Sequence, residues 1–156
     1  MIIMNGKITL SDAGSNDTVR LLRECGSGVK MGVSAIEDVV SGVSDTGLRA
    51  ILNDSLEEHR RLEGETRELL RKKGEPDRDP PAMAKSMSKM KTEIKMTLSE
   101  RNAAAADVIT DGCNMGVKSL SKYLNEYKAA DERSKDIAKK LISMESDLSI
   151  AMRPYL

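Results

Sequence analysis

Four stretches of this chain line up mostly apolar side chains on one helical face, the first two at strictly alternating spacings of four and three residues, and that period allows little other than packed α-helices. The first runs through Leu22, Gly26, Val29, Val33, Ile36, Val40 and Val43, and the second through Leu48, Leu52, Ser55, His59, Leu62, Thr66 and Leu69. The third carries Val108, Ile109, Cys113, Gly116, Leu120, Leu124 and Tyr127, and the fourth Ile137, Ala138, Leu141, Glu145, Leu148, Met152 and Tyr155. The spacing predicts helices A, B, C and D over about 17–43, 45–73, 99–128 and 130–153. Ser44, Asp45 and Thr46 break A from B with N-cap chemistry, and Ala129 to Asp131 form the turn between C and D. Connections this short make each pair an antiparallel hairpin.

The residues available for a core point the same way. The chain has no Phe, no Trp and three Tyr, but ten Met, so its interior is aliphatic and thioether, which suits helices better than sheets. With 156 residues, one core is the expectation, built by residues 17–156 behind an extended arm at 1–16 rich in Gly, Ser and Asn. The stretch EPDRDPP, residues 75–81, has three prolines in seven and reads as a linker. Beyond it Met83, Met87, Met90, Ile94 and Leu98 resume a helical period, giving a crossover helix over about 82–98. Thr97-Leu-Ser-Glu100 has the form of a capping box that starts helix C, and one continuous helix is the alternative.

Charge and targeting signals exclude several classes. Lys plus Arg equal Asp plus Glu at 25 each, so the phosphate-neutralising excess of a nucleic-acid binder is missing. The opening MIIMNGKITL breaks at Asn5, Gly6 and Lys7 before it could form a signal-peptide core, and no run approaches the roughly 20 apolar residues of a membrane span. Cys25 and Cys113 have no metal-ligand spacing and stand about 10 Å apart along a bundle axis by helix rise alone, too far for an unstrained disulfide. A soluble, reduced, cytoplasmic protein is the expectation.

Helix A contains GVKMGVSAI at Gly28 to Ile36, and helix C contains GCNMGVKSL at Gly112 to Leu120. The likeness continues in the following helices, where Ile51, Leu56, His59 and Leu62 align with Ile137, Ile142, Glu145 and Leu148. The chain therefore reads as an internal repeat of two hairpins joined by a long connection. On these paired GxxMGV segments and the alignment of His59 with Glu145, residues 17–156 resemble the ferritin-like superfamily, which implies an antiparallel four-helix bundle with one long crossover. A crossover helix of 17 residues spans about 25 Å, enough to run back along such a bundle.

The resemblance also implies where a metal centre would lie: a Glu on helices A and C and Glu-x-x-His on B and D, inward at mid-height. Those midpoints are Gly32, His59, Gly116 and Glu145, with Leu56 and Ile142 where the family places glutamates. At most two of six ligands match. The expectation is accordingly a bundle without enzymatic activity or cofactor, in which His59 and Glu145 face each other as a hydrogen-bonded pair that fixes register. A sharper alternative is a metal-binding protein or oxidoreductase with a mononuclear iron, manganese or zinc site from His59, Glu63 and Glu145 with Cys113. A further alternative gives binding of a partner helix or membrane surface to Met83 to Lys95, with Lys85, Lys89, Lys91 and Lys95 on its other faces. Met31 and Met115 lie off the seam in both halves, as the contacts of a homodimer would. The sole histidine lies mid-core and no glycine-rich nucleophile turn is present, so no catalytic residues are assigned.

Overall fold

The computed structural model describes residues 3–4, 7–8, 10–76 and 97–156. Its framework is four helices: α1 over Leu10–Val40, α2 over Thr46–Lys72, α3 over Leu98–Glu126 and α4 over Glu132–Met152, with a terminal 3-10 turn at Arg153–Tyr155. They are helices A to D in order, and the described residues are otherwise without regular structure apart from one short ladder. In that ladder Ile3 pairs with Ile8 and Met4 with Lys7, antiparallel. The proposed crossover helix over 82–98 lies outside the described residues, save its last two.

The caps explain the breaks. Asp45 is the N-cap of α2, its Oδ1 accepting from the Leu48 amide at 2.9 Å, and Asp131 does the same for α4 through Ser134 at 2.8 Å. Thr97 and Glu100 form a complete capping box at the head of α3, with Thr97 extended at ψ 163°. That geometry ends any helix arriving from the N-terminal side, so helix C starts afresh at Leu98.

One boundary departs from the sequence reading. The expected arm over 1–16 is helical from Leu10, so α1 begins seven residues ahead of Asp17. Low propensity in LSDAGSN is overridden by tertiary contact: Asp12 is buried, Asp17 Oδ2 accepts from the Ala129 amide at 2.9 Å, and Thr18 Oγ1 accepts from the Asp131 amide at 2.8 Å. The head of α1 thus docks on the connection between α3 and α4. At the other end of α1, Asn102 of α3 bonds the connection to α2, taking the Ser44 amide at 2.9 Å.

Helix α1 packs against all three others, α2 against α4, and α3 against α4. The core falls into two apolar halves. Ile36, Val39, Leu48, Leu52, Ala106, Ile109 and Leu148 belong to one; Leu21, Leu22, Val29, Leu62, Leu70, Leu120 and Leu141 belong to the other. Every helix crosses from one half to the other at a non-aliphatic residue: Gly32 between Val29 and Ile36, His59 between Leu56 and Leu62, Gly116 between Cys113 and Leu120, Glu145 between Leu141 and Leu148. The waist between the halves is where His59 and Glu145 sit.

Candidate functional site: a buried imidazole and carboxylate at the waist

Burying an imidazole or a carboxylate without partners costs several kcal/mol or more, so their contacts at the waist decide what they are. His59 is fully buried and Glu145 is 7 % exposed. His59 Nε2 lies 2.6 Å from Glu145 Oε1, joining α2 to α4. On the other side of the ring, Nδ1 lies 2.7 Å from the Ser55 carbonyl oxygen one turn earlier, with the Ser55 hydroxyl at 3.3 Å. A carbonyl only accepts, so Nδ1 must carry hydrogen. The remaining hydrogen lies between Nε2 and Oε1.

The charge on the ring is set by competing effects. Burial alone lowers the affinity of His59 for its second proton. The hydrogen bond to Glu145 and its negative charge, the Ser55 carbonyl and the charge of Glu58 outweigh burial, and the ring titrates above its ordinary 6.5. The surroundings thus favour the doubly protonated ring, and in that form its contact with the carboxylate is a charge-assisted bond.

Glycine makes room for it. A Cβ on Gly32 would stand 2.6 Å from His59 Cδ2 and 2.8 Å from Nε2, and one on Gly116 would stand 3.4 Å from Glu145 Oε2. The ring fills the space in front of α1, and the carboxylate fills the space in front of α3.

The four sequence candidates do not share one fate. His59, Glu145 and Cys113 come together: burial, and with it the charge of nearby Glu145, pushes the Cys113 thiol far up. Glu63 stands apart, bonded to Arg67 one turn on at 2.7 Å. Among the described residues no three of His, Cys, Asp and Glu are grouped so as to hold a metal ion. A metal needs a deprotonated thiol and free lone pairs on imidazole and carboxylate, and here those lone pairs and protons satisfy one another. As they stand, these side chains do not fit a resident metal.

Nor do they form a nucleophile. The ring bonds to Glu145, so the imidazole contact is taken up by the carboxylate rather than by the sulfur. Cys25, fully buried, is pushed up to about 12 by burial and by Glu24. Sequence reasoning assigned Gly32 no role beyond a missing ligand and gave Ser55 only a place on the seam. The i−4 spacing of Ser55 from His59 was the available signal for its carbonyl contact. No family model, curated protein or solved structure matches the chain.

Proposed function

We propose that the chain is a non-enzymatic, antiparallel four-helix bundle of the ferritin-like kind that serves as an interaction or structural module. The observation that carries this reading is the waist, where imidazole and carboxylate satisfy each other and two glycines take the places of inward carboxylates. Support for the topology comes from the helix ends. Glu75, just past α2, pairs with Arg23 in the first half of α1, whereas α3 begins beside the α1–α2 connection through Asn102. The second hairpin thus starts at the opposite end from where the first finishes, as one long crossover requires. Among the described residues no helix is long and apolar enough to cross a membrane.

In this reading the partner is a second copy of the chain. Met31 and Met115, equivalent in the two repeats, are 42 % and 62 % exposed, and large apolar side chains in water suit a contact surface. Metal analysis of protein purified without chelator or histidine tag tests the first statement: less than a tenth of an equivalent is expected, about one tightly bound equivalent contradicts it. Sedimentation at micromolar concentration tests the second, and a monomer there refutes the homodimer.

A further inference from the structure

The ring of His59 is held on both sides by atoms that only accept when Glu145 is ionised, and the two holders belong to different hairpins. Ser55 lies on α2 with the ring, and Glu145 lies on α4. We propose that this contact is a proton-dependent clasp between the two hairpins: α2 and α4 hold each other while the ring carries hydrogen on both nitrogens, and lose that hold when the Nε2 hydrogen leaves for a base in solvent.

The geometry leaves the deprotonated pair only poorer arrangements. With the remaining hydrogen on Nδ1, the bare Nε2 lone pair faces a carboxylate oxygen at 2.6 Å; with it on Nε2, bare Nδ1 faces the Ser55 carbonyl at 2.7 Å and has only the Ser55 hydroxyl, at 3.3 Å, to donate to it. The ring cannot draw back toward α1, where Gly32 already meets it so closely that even a Cβ would collide. The groups around the clasp are Glu145 from α4, Cys113 from α3 and Ser55 from α2, with the charge of exposed Glu58 on α2 acting at a distance, while α1 presents uncharged Gly32. Both carboxylates favour the charged ring, and none of these groups is a cation that would release the proton early.

Linkage fixes the sign. A ring whose proton affinity is higher folded than unfolded adds stability that is complete below the unfolded value of about 6.5 and is lost as pH rises through the folded value. The unfolding constant should then rise ten-fold for each unit separating the two.

The chain has a single histidine, so ring resonances in the full-length protein need no assignment. Nitrogen-edited NMR of the ring from pH 6 to 10 is paired with urea unfolding from pH 6 to 8, below the ionisation of the thiols in the unfolded chain, in the wild type and in Glu145→Gln. The expected result is a ring that titrates above 6.5, with hydrogen on both nitrogens below that titration. The wild-type unfolding constant climbs with that titration, by ten-fold for each unit the ring is found above 6.5, and the climb is lost in Glu145→Gln. A ring that titrates at or below 6.5 overturns the proposal, as does a wild-type unfolding constant that stays level through the ring's titration or climbs equally in the variant. Should Glu145→Gln not fold, His59→Gln takes its place in the unfolding comparison, and the wild-type ring titration still decides.

Discussion

The ring of His59 occupies the place a side chain on Gly32 would need: a Cβ there would lie 2.6 Å from Cδ2, closer than non-bonded carbons approach. The ring cannot swing away, because both nitrogens are tied, one to Ser55 and one to Glu145. Helix propensity alone predicts that Gly32→Ala stabilises by about 1 kcal/mol. Overpacking against a fixed ring costs about 1–3 kcal/mol, and here it also strains a buried charged hydrogen bond, so the variant is expected to be less stable by about 1–2 kcal/mol in urea unfolding. In a His59→Ala background the obstacle is gone. The same substitution should then be neutral or favourable, and strictly additive losses in the double-mutant cycle would refute the contact.

Glycines elsewhere on the same helices supply the opposite sign. A Cβ on Gly64 or Gly112 meets nothing within 4 Å, so Gly64→Ala and Gly112→Ala gain helix propensity without a clash. Each is expected to raise stability by about 0.5–1 kcal/mol. Loss of stability in Gly112→Ala, at the repeat position equivalent to Gly28, would indicate a contact on that face.

The apolar seams were readable because periodicity reports burial directly, and the repeat made the opposition of His59 and Glu145 readable as well. What a glycine means was not. The absence of a side chain at Gly32 and Gly116 looks the same in sequence whether it marks a lost ligand or a space another residue fills. Glu63 shows the limit of face arguments. It lies one turn from His59 on nearly the same face, yet an arginine four residues on draws it outward, and that Glu-to-Arg spacing was itself legible. The early start of α1 was hidden because its contacts, Asp17 with Ala129 and Thr18 with Asp131, join residues more than a hundred positions apart.

Thiol chemistry offers a check on the interior. Cys25 and Cys113 are both free and buried, and burial with nearby carboxylate charge holds each thiol well above its ordinary 9.0. Because the thiolate is the reactive form, an exposed-thiol reagent should label neither at neutral pH in the folded chain and both in urea. Labelling that follows the unfolding rate is the expected result. Rapid modification of Cys113 in native protein would mean that the waist is open to solvent.

Asn102 is the side chain that fixes where α3 begins relative to the first hairpin. Its Oδ1 takes the Ser44 amide at 2.9 Å and its Nδ2 donates to the Ser44 hydroxyl at 3.1 Å, beside the Asp45 cap of α2. These bonds are exposed, so water replaces much of what is lost when either partner is removed. Asn102→Ala is accordingly expected to cost about 0.5–1 kcal/mol, and Asp45→Ala, which leaves the first turn of α2 without its acceptor, about 1 kcal/mol. Because both act on the connection between α1 and α2, their double mutant should fall short of the sum. Full additivity in urea unfolding would show instead that the cap forms without help from α3, and that the two hairpins are joined at this end by apolar packing alone.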